Sequence, residues 1–354
     1  MGTTEARMKS QTDPLLVLKK HWGYPDFRPK QREIIDAVLA GRDTLALLPT
    51  GGGKSLCYQV PALCRPGLCL VISPLIALME DQVYQLGKRG IRAAALHSGW
   101  KFRDLMRLLE NAQQGHYPLL YLSPERLQNP EFQERLAHLP LNLLAVDEAH
   151  CISQWGFDFR PPYRQIAEFR KLRPEVPVLA LTATATPRVV EDIQSQLAFE
   201  KPQVIRQSFR RKSLFYHVRY AENKGEQLLA ALRKSAGSAI IYFRNRRGTV
   251  EMAEWLKAQG LSAEHYHGGL AAEERSRRQA DWLKGQTRIM VCTNAFGMGI
   301  DKPDVRLVIH LDLPEAPESY FQEAGRAGRD GQEAHAVLFY AQGDAEKLKR
   351  QQLE

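Results

Sequence analysis

The feature that most restricts the fold is a recurrence of short, nearly unbroken aliphatic runs separated by amphipathic stretches. "DTLALLP", "LCLVISP", "PLLYLSP", "NLLAVDE" and "VPVLALTATA" are each of strand length and almost wholly apolar. A strand that is apolar on both sides needs cover on both sides, which a parallel sheet between helices supplies. The intervening segments read as helices: "PKQREIIDAVLAG" stops at Gly41 and "LIALMEDQVYQLGKRG" at Gly90, as expected where a helix needs a left-handed residue at its end. Strand and helix alternate in the order βαβα, which predicts a doubly wound α/β fold.

The pattern pauses after Ala198, in "FEKPQVIRQSFRRKSLFYHVRYAENKG", and then restarts with "SAIIYF", "TRIMVC", "VRLVIHLDLP" and "AHAVLFY". With 354 residues the chain can build two cores. The expected domains are 1–205 and 206–342, followed by a tail over 343–354. The two halves share an architecture but no repeated sequence.

Charge gives a direction. Forty-nine Lys and Arg against forty Asp and Glu leave a net +9, which favours a polyanionic partner, nucleic acid above all; an ordinary basic soluble protein is the alternative. No apolar run approaches the roughly 20 residues of a membrane span, and the N-terminus lacks the apolar core of a secretory signal. The five cysteines are scattered and include no C-x-x-C pair, so buried thiols in a reducing compartment are expected, with neither a disulfide frame nor a zinc site.

"LLPTGGGKSL" follows a strand pattern and opens a helical one. Glycines at 51–53 let backbone N–H groups turn toward phosphate oxygens, and the following helix N-terminus favours an anion. Lys54 is then placed for the β/γ-phosphates of a nucleotide and Ser55 for Mg²⁺. The longer phosphate-loop pattern has a Gly where this chain has Leu48, so the shorter form, beginning at Thr50, applies.

"NLLAVDEAH" puts Asp147 and Glu148 at a strand end, where open α/β sheets hold ligands. Asp147 is the candidate for the Mg²⁺ shell, and Glu148 for orienting and deprotonating the attacking water. His150 either relays the nucleotide state by hydrogen bonding or is simply packed. Thr182 and Thr184, in "LTATAT", either bond back to the acids or cap the helix at Pro187.

In the second half, "FQEAGRAGRDG" spaces Arg326 and Arg329 three apart, as on one side of a helical turn. Such arginines either stabilise charge on a transferring phosphoryl group or form a solvated pair. "CTNAFGMGIDKP" follows a strand, and Asp301 there is a candidate for the nucleotide ribose or for Arg326. A phosphate loop in one domain and arginines in the other suggest domains that ATP joins and hydrolysis releases.

These motifs, with "GYPDFRPKQREII", "SPLIALMEDQV", "YLSPERL", "DEAHCISQWGFDFRP", "YHGGL" and "YFQEAGRAGRDG", resemble the RecQ family of DNA helicases from about Leu18 to Tyr340, in family order. The resemblance implies two tandem RecA-like domains, each a mostly parallel sheet flanked by helices. It also implies that Ser153 to Tyr163 is an aromatic-rich loop that senses single-stranded DNA, with Trp155, Phe157, Phe159 and Arg160 as coupling residues. Rings offer stacking platforms blind to base identity. Tyr24 matches the residue that stacks on adenine, with Arg28 and Gln31 reading its edge. Gln322 joins Arg326 and Arg329 among the catalytic positions. A DNA track is implied over Ser73, Ser123 and Arg126 in the first domain, and over Arg244, Asn245, His267 and Thr293 in the second.

The expected protein is an ATP- and Mg²⁺-dependent 3′→5′ DNA helicase of recombination and repair, acting on single-stranded and on forked or tailed duplex DNA. It is expected to be monomeric, away from membranes, and cytoplasmic (at the bacterial nucleoid) or nuclear. Family members usually continue into a four-cysteine zinc module and a winged helix, and this chain has no cysteine after Cys292. Two alternatives therefore stand beside the helicase: a core with DNA-stimulated ATPase but weak unwinding, and a DNA-binding regulator that does not hydrolyse ATP.

Overall fold

The computed structural model describes residues 12–97, 100, 102–156, 158–183, 185–296 and 302–353. The chain divides into two compact units, Met1–Phe209 and Arg210–Glu354.

The first unit holds β1 (Thr44–Leu47), β2 (Leu68–Ile72), β3 (Ala93–Leu96), β4 (Leu119–Leu122), β5 (Leu141–Val146), β6 (Val178–Thr182) and β7 (Gln203–Arg206). They form one sheet in the order β3-β4-β2-β5-β6-β1-β7, and every pairing is parallel. Successive residues of one strand feed different cores. Leu45, Leu47, Leu70 and Ile72 pack on one side, whereas Ala46, Leu48, Cys69 and Val71 pack on the other. This two-sided burial is why the runs read as unbroken apolar stretches. Because β5, β6 and β1 are parallel neighbours, the loops that follow them leave the same edge of the sheet.

The second unit has β8 (Leu214–Tyr220), β9 (Ser238–Tyr242), β10 (Ala263–Tyr266), β11 (Ile289–Cys292), β12 (Val305–His310) and β13 (Ala334–Tyr340). Their order is β10-β11-β9-β12-β13-β8, again parallel throughout. Ile240 and Tyr242 face one core and Ala239 and Ile241 the other. The segment expected to be a tail contains a helix, Asp344–Leu353, whose first residue pairs with Lys224 at 2.6 Å.

β3, β7, β8 and β10 were not among the predicted strands. All five cysteines are buried and free. Among the described residues no helix is long and apolar enough to cross a membrane.

Candidate functional site

The loop after β1 is braced by the segment that precedes it. Gln31, which opens the helix Gln31–Leu39, is buried. Its Nε2 donates to the carbonyls of Gly52 (3.2 Å) and Gly53 (3.0 Å), while its Oε1 accepts from the Arg28 backbone N–H at 2.9 Å. The Arg28 guanidinium donates to the Gly51 carbonyl. Residue 53 must be glycine: its φ is +74°, and a Cβ there would lie 2.3 Å from Gln31 Nε2. Thus Arg28 and Gln31, predicted to read a base edge, are found bonded to the phosphate loop. Tyr24 is about half exposed. The helix Leu56–Cys64 starts directly after Ser55, so the glycine run ends on a helix N-terminus as expected.

The acids follow β5. Lys54 Nζ lies 3.9 Å from Glu148 Oε1, which brings the two predicted motifs together. Asp147 is buried, and its carboxyl is pushed up to about 7, first by burial and then by the charge of Glu148, with Lys54 opposing. Glu148 sits in the left-handed region at φ 47°, ψ 47°, a costly conformation for a residue with a side chain. Its backbone N–H donates to Asp147 Oδ1 at 3.0 Å, and Tyr163 donates its phenolic O–H to the Asp147 carbonyl at 2.9 Å. His150 Nδ1 is 2.9 Å from Thr182 Oγ1 and 3.4 Å from Glu148 Oε2, and burial holds its imidazole below the ordinary range. Thr182 therefore touches His150, which touches the acid. The helix cap at Pro187 is a different hydroxyl, Thr186, which accepts from the Val189 N–H at 3.4 Å. Thr184 lies outside the described residues.

The aromatic segment is pressed onto the acid turn. A Cβ on Gly156 would meet the His150 carbonyl oxygen at 2.6 Å, and Arg160 N–H donates to the Cys151 carbonyl at 2.9 Å. Arg160 pairs with Asp158 at 3.2 Å and donates to the Pro74 carbonyl at 3.3 Å, so its guanidinium is engaged within the protein. Trp155 is 58% exposed, with the Arg188 guanidinium 3.3 Å from its ring centroid. Arg164 lies over the Phe159 ring at 5.2 Å. Phe157 lies outside the described residues. His150, Cys151 and Asp158 bring potential ligand atoms within 4.8 Å of one another.

The candidates for a DNA track differ in access. Ser73 and Ser123 are buried, and Arg126 donates to the His97 carbonyl at 3.1 Å. In the second unit, Asn245 Oδ1 accepts from the Gly248 N–H at 2.6 Å and caps the helix Arg246–Ala258. Arg244 pairs with Glu315 at 3.3 Å, and His267 Nδ1 accepts from the Gly269 N–H at 3.2 Å. Thr293 is buried.

Arg326 and Arg329 require a correction. The helix Pro317–Ala324, which carries Gln322, stops before them, and residues 325–330 form turns. Gly328 turns left-handed at φ +60°, and three hydrogen bonds hold the backbone off the helical path: Arg211 donates to the carbonyls of Gly325 (3.0 Å) and Gly328, and the Gly328 N–H donates to the Val305 carbonyl in β12 at 2.8 Å. Arg326 is buried. Asp301 lies outside the described residues.

Sequence reasoning missed Tyr163 as an individual residue, and it missed Arg188 and Arg211. A tyrosine placed among prolines and arginines in "RPPYRQ" was the available signal for the first. No signal marked the arginines, whose partners are distant in sequence.

A DEAD/DEAH box helicase model matches residues 28–193, and a helicase conserved C-terminal domain model matches residues 223–331. The ATP-dependent DNA helicase RecQ of Pasteurella multocida is 44% identical over 96% of this chain and 54% of its own length. The probable ATP-dependent DNA helicase RecS of Bacillus subtilis is 43% identical over 93% of the chain and 67% of its own length. The chain thus spans about half to two thirds of these relatives. Among solved structures, the DUF1998 helicase MrfA bound to DNA and AMPPNP superposes with TM-score 0.78 at 18% identity, covering 98% of this chain and 53% of that one. Mss116p bound to ssRNA and AMP-PNP gives 0.76 at 19%, covering 97% and 75%. These two likenesses establish the fold as tandem RecA-like units. With the phosphate loop, the DEAH turn and the aromatic segment assembled at one sheet edge, the sequence identities leave one conclusion: the chain belongs to the RecQ family of DNA helicases.

Proposed function

We propose that this chain is the ATP-hydrolysing motor of a RecQ-type 3′→5′ DNA helicase of recombination and repair, coupling hydrolysis to movement on single-stranded DNA and to duplex unwinding. The observation that carries the reading is the convergence of Lys54, Asp147–Glu148 and His150–Thr182 at the ends of β1, β5 and β6, with the aromatic segment bonded directly behind the acids. The direction of travel and the repair role come from the family resemblance.

In this reading Thr50 and Gly51 to Gly53 cradle the phosphates, Lys54 places a point charge against them, and Tyr24, Arg28 and Gln31 hold the adenine. The donor set suits Mg²⁺. Ser55 and Asp147 offer hard oxygens, and a carboxyl raised by burial and then by the acid beside it is a place where a divalent cation relieves repulsion. When bound, the ion neutralises charge on the β- and γ-phosphates. Glu148 orients the attacking water and takes its proton. Gln322, Arg326 and Arg329, with Asp301, are the second unit's contribution to ATP turnover. Trp155, Phe157, Phe159 and Arg160 report DNA to the acids. Ser73, Ser123, Arg126, Arg244, Asn245, His267 and Thr293 are its backbone contacts. The partners are single-stranded and forked or tailed DNA, and the protein works as an intracellular monomer.

The test is steady-state ATP hydrolysis with Mg²⁺, with and without single-stranded DNA, followed by unwinding of a forked duplex. Turnover rising strongly with DNA, and less with RNA of the same length, supports the motor. Turnover that stays at baseline under saturating DNA would leave only a binding protein.

A further inference from the structure

A buried hydroxyl links the aromatic segment to the acid pair. Tyr163 is fully buried in the short 3-10 turn Pro161–Arg164, and its ring belongs to the core under β5 and β6. Its O–H donates to the backbone carbonyl of Asp147 at 2.9 Å. That carbonyl belongs to the peptide joining Asp147 to Glu148, and Glu148 is held at φ 47°. A left-handed residue without glycine's freedom persists only where its surroundings over-determine it. Three bonds do so here: the Asp147 carboxylate accepts from the Glu148 N–H on one side of the peptide, Tyr163 fixes the carbonyl on the other, and the Cys151 N–H donates to the Glu148 carbonyl at 2.9 Å.

The same tyrosine is tied to the DNA-sensing segment. Its backbone N–H donates to the Arg160 carbonyl at 2.9 Å, and the Arg160 N–H donates to Cys151 at 2.9 Å. The Arg160 guanidinium reaches Pro74, in the stretch after β2 that holds Ser73. A displacement at Phe159 or Arg160 therefore passes through three residues of a tight turn to a hydroxyl that holds the acid-bearing peptide. The core packing of the ring leaves the hydroxyl little freedom of its own, so a shift of the turn that carries it strains the bond to Asp147.

We infer that Tyr163 is a positioning residue that carries the state of the aromatic segment to Asp147 and Glu148, by holding the Asp147 carbonyl and with it the left-handed turn of Glu148. It touches no substrate. The inference rests on the proposed DNA-stimulated ATPase and adds the atom through which stimulation travels.

The experiment compares the whole chain with its Tyr163→Phe variant, which loses only the hydroxyl. Hydrolysis is measured across ATP concentrations, without DNA and with saturating oligothymidylate. Expected is a fall of about tenfold in kcat with DNA, the scale of a small misplacement of catalytic groups. The ratio of stimulated to basal turnover falls with it, and KM for ATP and the affinity for the oligonucleotide stay within about twofold. Ile166→Val, a trimming in the same core cluster, serves as the packing control and should keep the ratio. A Tyr163→Phe protein with the parent's ratio overturns the inference, as does one in which stimulated and basal rates fall equally, or an Ile166→Val protein that loses the ratio as much. If the parent itself shows no stimulation by DNA, the proposed function has failed first, a result distinct from these.

Discussion

Both units carry a parallel sheet with polar residues at the strand ends, yet they use those residues in opposite ways. At the ends of β1, β5 and β6, Lys54 stands 3.9 Å from Glu148, His150 stands 3.4 Å from the same carboxylate, and Asp147 resists ionisation because it is buried beside another acid. At the ends of β9 and β12, His310 stacks on Tyr242 with ring centroids 5.0 Å apart and bonds Glu323 at 2.8 Å. Nearby, Asn245 is committed to a helix cap and Arg244 to Glu315. The first arrangement sets two acids side by side, with Lys54 opposing their charge, on a left-handed backbone turn. The second pairs unlike partners, a ring on a ring and an imidazole on an acid. A shared scaffold thus does not imply a shared task, and strain marks the working edge.

The comparison can be broken most decisively at Lys54. Lys54→Ala should lower ATP turnover by about a hundredfold or more, the scale seen when a charge-stabilising donor is removed, while some DNA binding remains; retained turnover in a malachite-green assay would remove the phosphate loop from the mechanism. Next comes Trp155→Ala. Loss of one stacking ring is worth about 1–3 kcal/mol per base, so single-stranded DNA should bind roughly tenfold more weakly and stimulate less. Equal loss of basal and stimulated rates would count against coupling.

A smaller effect separates the acid edge from an ordinary carboxylate. Burial, and then the charge of Glu148, push the Asp147 carboxyl up to about 7, so on the proposed assignment it sheds a proton to take Mg²⁺. Below that value Mg²⁺ affinity should weaken by up to about tenfold per pH unit, and calorimetry in buffers of different ionisation enthalpy should show proton release. The sign follows from the raised value: lowering pH favours the neutral acid, which competes with the cation. Affinity that is flat from pH 8 to about 5, with Asp147 at its usual carboxylate value, would sink this point. The smallest expected effect lies in the second unit. Asn245→Ala should destabilise the fold by about 1 kcal/mol through the lost cap, read by urea denaturation. Weakened DNA binding with unchanged stability would assign Asn245 to the DNA contact and not to the cap.

What was legible in the sequence follows a simple rule. The strands missed, β3, β7, β8 and β10, are the two outermost strands of each sheet. β8 is largely exposed along its length, and β7 and β10 are only partly buried, so none shows the apolar run that two covered faces impose. β3 is "AAAL", buried but without the branched side chains that mark a strand. The same logic applies to the arginines. Spacing predicted a helical turn for Arg326 and Arg329, but contacts with Arg211 and β12, over a hundred and some twenty residues away in the chain, ended the helix first.

By itself the sequence determined that there would be buried parallel strands, a glycine turn ending on a helix, a pair of acids at a strand end and a ring-rich segment behind them, because each is written in a local run of residues. Only the tertiary structure decided that Gln31 would brace the glycine turn, that Glu148 would be forced left-handed, and that Tyr163 would hold the peptide before it. Those outcomes depend on which distant groups a buried donor or acceptor can reach once water is excluded, and no local pattern records that reach.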